Sequence, residues 1–204
     1  MKSLAVFVFP GVQTLDLFGP IELLGGFYDK IALTLVAEAV APVPTRHGQR
    51  IIPDKTIHDP ALYDLLLMPG GDSALDVARS PAAMNWLRET VDTAELVMTV
   101  CTGSILLAMT GKLDGKRATT NKQDFRETVH LGPNVEWVEK ARWVQDGKFF
   151  TSSGVSAGMD MALAAAAHLF GQEAAEWMAD GSEYEWHEDP DWDPFAEKCG
   201  LCNR

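Results

Sequence analysis

The run Glu95–Met109 changes its hydrophobic period halfway along, and no other feature constrains the fold as strongly. Leu96 to Val100 is a short apolar, partly β-branched run, whereas Ile105, Leu106 and Met109 fall at helical spacing. The first half therefore predicts a buried parallel strand and the second a helix leaving it. Cys101 stands at the join, which in an open α/β sheet is the carboxyl edge where sites are built. The amides of Thr102, Gly103 and Ser104 would be the unpaired donors of a helix N-terminus, a setting that predicts a depressed thiol pKa and a nucleophilic thiolate. The competing reading is a buried structural cysteine, because free cysteine is among the most buried residue types.

The same strand, turn and helix order recurs along the chain. Ser3–Phe9 reads as a strand stopped by Pro10-Gly11, and Asp16 then precedes an amphipathic helix with Pro20 in its first turn, which makes Asp16 a candidate N-cap. Ile31–Ala37 is a second strand, and the stretch from Pro42 to Pro60 is a connection with short strands around Val43 and Ile51. Leu62–Met68 is a third strand, ending in Pro69-Gly70-Gly71-Asp72, where backbone amides can come close to a bound group. Pro81–Asp92 reads as a helix, and Thr102–Thr110 as another closed by Gly111. Repetition of this order implies parallel strands joined by right-handed crossovers. Farther on, Lys116–Thr120 reads as a short strand, Asn121 to His130 as a polar helix, and Asp146-Gly147 as a hairpin turn giving the sheet an antiparallel edge.

Composition narrows the function classes. With 204 residues the chain holds one domain with elaborations, and a formal net charge of −12 argues against nucleic acid and anionic membrane surfaces. The apolar run Leu4–Phe9 is too short for a signal segment, and Val155–Phe170 is interrupted by Asp160 and His168, so a cytoplasmic protein with no membrane span is expected. Three cysteines, two of them the Cys199-x-x-Cys202 tail, fit a reducing compartment; a structural zinc site would need four ligands, so the tail is read as a terminus of little function.

Gly154-Val155-Ser156-Ala157-Gly158 matches the Gly-x-Ser-x-Gly pattern of a serine nucleophile elbow. Such hydrolases place an acid and then a histidine after the serine, yet His168 falls inside a predicted buried helix and His187 in the tail, so the segment is read as a tight turn beside the site. The tail from Glu183 to Phe195 alternates acids with Tyr184, Trp186, Trp192 and Phe195, and this arm is expected to pack on the domain or on a partner subunit.

Taken together, Asp16-Leu17-Phe18-Gly19-Pro20, Pro69-Gly70-Gly71, Val100-Cys101-Thr102-Gly103-Ser104, Lys116-Arg117-Ala118-Thr119-Thr120 and the segment Gly154 to Asp160 resemble the ThiJ/PfpI superfamily, most closely its isocyanide hydratases. The resemblance runs from Leu4 to about Phe170. It implies a flavodoxin-like α/β sandwich of the class I glutamine amidotransferase type, with a mostly parallel sheet flanked by helices and a cysteine on a strained nucleophile elbow. Residues 1–170 would form this domain and residues 171–204 a C-terminal helix and arm packed on it or on a dimer partner. The resemblance further implies a homodimer acting on a small molecule, without metal or organic cofactor, through Cys101 and Asp16. Gly19, Gly70, Gly71, Thr102 and Ser153 would bind substrate or stabilise developing charge. One departure stands out: Asn121 occupies a position where the hydratase pattern has histidine. Three other functions are weighed. A glyoxalase or deglycase would place histidine after the cysteine, where this chain has Thr102; a redox sensor would oxidise Cys101 to a sulfinate; and a transcription regulator carrying this domain fits neither the charge nor the stretch after Phe170.

Overall fold

The computed structural model describes residues 1–201, so Cys202 of the tail pair lies outside the described residues. In chain order the first half comprises β1 (Lys2–Phe7), α1 (Thr14–Gly25), β2 (Ile31–Ala37), β3 (Val43–Pro44), β4 (Arg50–Ile51), β5 (Lys55–Thr56), β6 (Leu65–Met68), α2 (Ala74–Ala78) and α3 (Pro81–Thr93). The second half comprises β7 (Leu96–Val100), α4 (Gly103–Met109), β8 (Arg117–Ala118), α5 (Phe125–Val129), β9 (Glu136–Trp137), β10 (Trp143–Asp146), β11 (Phe149–Ser152), α6 (Ala157–Phe170), α7 (Gln172–Gly181) and α8 (Pro194–Lys198).

Seven strands form the central sheet in the order β10-β11-β7-β6-β1-β2-β5. All neighbours are parallel except β10 and β11, whose hairpin register pairs Asp146 with Phe149 across the turn, with Gly147 at φ 58°. The strands at the centre carry side chains that are apolar on both faces: Leu4 to Phe7, Leu65 to Met68 and Leu96 to Met98 are all essentially inaccessible. Such a sheet needs cover on each side. Two helical groups supply it: α1 packs on α6 with α7 outside it, and α2 packs on α3 and α4. This is the flavodoxin-like sandwich that the sequence implies.

The order of the strands also locates the site. From β1 the chain builds outward through β2 to β5, then returns to the other flank of β1 and builds through β6 and β7 towards β11. Beyond the carboxyl ends of β1 and β6 the chain diverges, and the crevice left there is where open α/β sheets take ligands. The segments after β1, β6 and β7 deliver Asp16, Gly70 and Cys101 to that edge.

Several boundaries differ from the sequence reading. Helix α1 starts at Thr14 after an N-cap Gln13, so Asp16 is not the cap; it lies in the first turn, fully buried, and Pro20 falls a turn later. The polar helix expected from Asn121 shortens to Phe125–Val129, because Asn121 and Lys122 are drawn into the protein. Helix α2 and edge strand β5 have no counterpart in the sequence reading; five and two residues long respectively, they are too short to leave a period.

The aromatic arm is seated on the domain. Arg142 and Asp160 form a buried ion pair with Arg142 Nε 2.5 Å from Asp160 Oδ2, and the arm closes over it. Tyr184 donates its hydroxyl to Asp160 Oδ1 at 2.9 Å, His187 its amide to the same oxygen at 3.0 Å, and Trp186 its indole N–H to the Asp160 carbonyl at 3.2 Å. Trp192 stacks on His187 and lies against the Arg142 guanidinium. A second buried pair, Lys122 with Asp193 at 3.3 Å, ties the last turn of the arm to the segment that carries Asn121. Cys199 is half-buried beside a small cluster of Phe125, Ala196 and Leu201.

Candidate active site

Strand β7 ends at Val100, and the next residue reverses the chain into α4 with φ 55°, a left-handed conformation that costs a non-glycine residue about 1–2 kcal/mol. That residue is Cys101. Its peptide is tied on both sides: the amide donates to the Ser152 and Ser153 carbonyls at 3.2 Å each, and the carbonyl accepts from the hydroxyls of Ser104 at 2.9 Å and Thr120 at 3.1 Å. These bonds offset the strain and fix where the sulfur points. Gly103 is required immediately after, since a Cβ there would lie 2.1 Å from the Met68 carbonyl oxygen.

Asp16 meets the cysteine from α1. Its Oδ2 accepts the Gly70 amide at 3.1 Å, while Oδ1 has no hydrogen bond of good geometry from any described residue. Burial pushes the Asp16 pKa up to about 7, against the pull of the Gly70 amide, the Cys101 thiol and the Arg46 charge. Glycine at 70 is what allows this approach: a Cβ would stand 2.7 Å from Thr102 Oγ1 and 2.8 Å from Asp16 Oδ2. The Gly71 amide donates to Thr102 Oγ1 at 2.9 Å, and that hydroxyl donates back to the Gly71 carbonyl at 3.2 Å. The amides of Gly70 and Gly71 are thus already engaged in holding Asp16 and Thr102.

The sulfur is not the low-pKa thiolate that the helix N-terminus suggests. Burial, and next the Asp16 charge, push the Cys101 thiol pKa up; the amides of Thr102 and Val155 oppose them, and the Asp124 charge adds to the rise. Desolvation outweighs the helix terminus because Cys101 and the first residues of α4, Gly103 and Ser104, are buried. The resting group is a thiol beside a carboxyl that titrates near neutrality.

Val155 is the residue that sequence reasoning missed. It lies at φ 43°, strained for a β-branched side chain, in the turn from β11 to α6, and its amide reaches the Cys101 sulfur. Strands β7 and β11 run parallel with Val100 opposite Ser152, so the two chains turn at the same level and face each other. No composition or period marks Val155; the strand-turn-helix context of Gly154 to Gly158 was the available signal, and it pointed to Ser156. Ser156 sits at φ −69° with its hydroxyl 3.4 Å from the Arg142 guanidinium, away from any histidine partner.

A cleft of about 400 Å³ opens at Cys101, with Thr102, Val155, Ile105 and Asn121 in its lining. Arg46, Asp72, Asp124 and Glu127 supply its charges, and Arg46 is already paired with Asp72 at 3.1 Å. Asn121 is 9 % exposed and donates its amide N–H to Asp124 Oδ2 at 2.7 Å. No histidine lines the cleft. Gly19 lies in α1 against Met159, where a Cβ would come within 2.8 Å of that side chain, so its part is packing of α1 on α6 and not contact with the cleft. Ser153 is buried behind the elbow, holding Cys101 through its backbone and not facing the cleft. Among the described residues no three histidine, cysteine or carboxylate groups are placed to hold a metal ion, and no helix is long and apolar enough to cross a membrane.

A cysteine on a positive-φ elbow, faced by an acid across the carboxyl edge of such a sheet, defines a family, and the comparisons agree. The model of the DJ-1/PfpI family matches residues 2–168, and the chain belongs to that family. Among curated proteins it is 35% identical over 179 residues to an isonitrile hydratase of Pseudomonas putida, covering 87% of this chain and 76% of that protein. It is 27% identical over 179 residues to a Parkinson disease protein 7 homolog of Danio rerio, covering 85% of this chain and 93% of that one. Among solved structures, a ThiJ/PfpI family protein from Pseudomonas syringae superposes with a TM-score of 0.83 at 30% identity, covering 94% of this chain and 78% of that chain.

Proposed function

We propose that this protein hydrates isocyanides, converting R–NC and water to an N-substituted formamide. The observation that carries the reading is the Asp16–Cys101 pair: a buried carboxyl with a pKa near 7 against a thiol, with no histidine in the cleft. In the working form the pair holds one proton, on sulfur. When the terminal carbon of the isocyanide arrives, Asp16 takes the thiol proton as the sulfur attacks, then gives that proton to the same carbon, leaving the thioimidate Cys–S–CH=N–R. Asp16 next takes a proton from water as its oxygen adds to carbon, and passes that proton to nitrogen. The tetrahedral adduct Cys–S–CH(OH)–NH–R then loses its hydroxyl proton to Asp16 and expels the sulfur, releasing R–NH–CHO, and the proton returns to the thiolate. The amides of Thr102 and Val155 stabilise negative charge on sulfur at the first and last steps, an effect worth about 3 kcal/mol per donor in comparable sites.

This assignment makes Cys101 and Asp16 the catalytic pair, with Gly70, Gly71 and Thr102 holding it. It also favours the hydratase over two alternatives: Thr102 follows the cysteine where a glyoxalase or deglycase would use histidine, and a thiol held protonated resists the oxidation that a redox sensor needs. Leu15 and Phe18, exposed three residues apart on α1, support a homodimer, the net charge of −12 supports an enzyme without nucleic-acid partners, and the odd number of cysteines supports a reducing, cytoplasmic setting. In this reading residues 1–170 form the catalytic domain, and the described residues after it, 171–201, are the helix and arm that brace it.

The test is to incubate the protein with an aromatic isocyanide and follow formamide appearance. Wild type turns over, Cys101→Ala loses all detectable activity and Asp16→Asn at least about a hundredfold. Absence of wild-type turnover with any isocyanide overturns the reading, and consumption of methylglyoxal instead would move the protein to the deglycase class.

A further inference from the structure

Two paths of contact run from the C-terminal arm to the elbow that carries Cys101, one to each side of that residue. On the amide side, the Pro190 carbonyl accepts the Arg142 amide at 2.7 Å, the Arg142 carbonyl accepts the Ser153 amide at 2.8 Å, and the Ser153 carbonyl accepts the Cys101 amide at 3.2 Å. On the carbonyl side, Asp193 pairs with the Lys122 ammonium at 3.3 Å, and that ammonium donates to Thr119 Oγ1 at 2.6 Å. The next residue, Thr120, donates its hydroxyl to the Cys101 carbonyl at 3.1 Å. The Lys122 and Asp193 side chains are 2% and 1% exposed. Asp193 uses its other oxygen to accept the Phe195 amide at 3.0 Å as the N-cap of α8, so the pair is fixed to the arm. Burying two charges is a poor way to stabilise a fold, because desolvation offsets their attraction and neutral side chains of like shape commonly serve as well. What the pair adds is direction: the ammonium has to meet a carboxylate and a hydroxyl at once.

We infer that Lys122 and Asp193 are positioning residues, through which the C-terminal arm holds Cys101 in its left-handed conformation. The inference rests on Cys101 being the reacting group, and isocyanide hydration is one readout of it. Neither side chain lines the cleft, so neither meets the substrate; both act on the elbow through Thr119 and Thr120. Loosening this hold has two consequences of opposite sign. The buried sulfur becomes easier for a reagent to reach, because the bonds that keep its peptide in place relax. Turnover falls, since misplacing a reacting group by about 1 Å can cost on the order of a hundredfold.

The experiment uses the double variant Lys122→Met with Asp193→Asn, which removes both charges, roughly keeps their volumes and leaves an acceptor oxygen to cap α8. It is expected to fold with a Tm within about 5 °C of wild type. Labelling of Cys101 by iodoacetamide, separated from the other cysteines by peptide mapping and measured well below Tm, is expected to rise about tenfold. For an aryl isocyanide kcat is expected to fall about tenfold, with KM within about threefold. A folded double variant in which either the labelling rate or kcat stays within about twofold of wild type overturns the inference, because the pair then serves folding alone. Should the double variant fail to fold, Trp192→Leu takes its place: it loosens the arm over Arg142 without disturbing a buried charge, and both changes are expected at about threefold. Their absence overturns the inference. Failure of the hydratase reading looks different: wild type turns over no isocyanide, and the labelling comparison, which needs none, decides the inference unaided.

Discussion

Two strand-to-helix turns stand side by side in this molecule, and only one of them sets a thiol beside a carboxyl. Strands β7 and β11 are parallel neighbours, and each enters its helix through a non-glycine residue at positive φ, Cys101 at 55° and Val155 at 43°. The second turn even carries the Gly-x-Ser-x-Gly spelling of a serine hydrolase. What separates them is what each side chain meets. Cys101 faces a carboxyl that titrates near neutrality, whereas the hydroxyl of Ser156 meets a guanidinium, which can donate to it but cannot take its proton. Backbone strain and motif spelling are therefore common to both turns, and a base within reach is not. The Val155 turn serves the other one, by pointing its amide at the sulfur.

The largest effect that would break this contrast comes from Asp16→Asn. Beyond the loss of activity, the variant is expected to be more stable. The folded-state pKa of about 7 lies above the unfolded value of 3.8, so ionisation is penalised only in the folded protein. The penalty is absent below pH 3.8, grows as pH rises towards 7 and is constant above it; at full size it is on the order of 4 kcal/mol. Thermal unfolding at pH 8 should show D16N melting several degrees above wild type, with a smaller gap at pH 5. An unchanged or lower Tm at pH 8 would mean that the carboxyl is not held in a desolvated state.

The pH profile gives the next largest effect. Asp16 must be ionised to take the thiol proton, so kcat/KM should rise tenfold per pH unit below about pH 7 and level off above it. A steady-state profile flat from pH 5 to 8 would remove Asp16 from the first step. Smaller changes are expected at the second turn. Val155→Gly keeps the amide and relieves the positive φ, so activity should stay within about fivefold and stability within about 1 kcal/mol, as strain relief offsets lost side-chain burial. Ser156→Ala should change kcat/KM by less than about twofold, because its hydroxyl touches nothing that reacts. A large loss there would restore the serine as a candidate nucleophile.

Much of this contrast was legible in the sequence, and the unreadable part has a physical reason. The change of period at Cys101 located the β7–α4 elbow, and Ile31–Ala37 and Leu96–Val100 read as strands with the bounds they have, because each carries a near-continuous apolar run, β7 buried throughout and β2 half-buried along its middle. The pairing of Asp16 with Cys101 came from resemblance. Residue by residue Asp16 reads as a helix cap, and only the topology that sets β1 beside β6, with β7 next in the sheet, brings it to the sulfur. The thiol pKa was misjudged because the helix N-terminus is visible in sequence and the burial that outweighs it is not. Val155 was missed since a strained φ leaves no compositional trace, and Asn121 was marked as a departure without the Asp124 contact that orients it.

In the proposed hydration the carbon of the substrate becomes bonded to Cys101 while the neighbouring turn contributes no covalent chemistry. Rapid acid quenching of the wild-type enzyme mixed with an aryl isocyanide, followed by peptide mapping in a mass spectrometer, tests it directly. The expected result is one added isocyanide mass, found on the peptide that contains Cys101. An adduct on the peptide that contains Ser156, or none on Cys101 during active turnover, would contradict it.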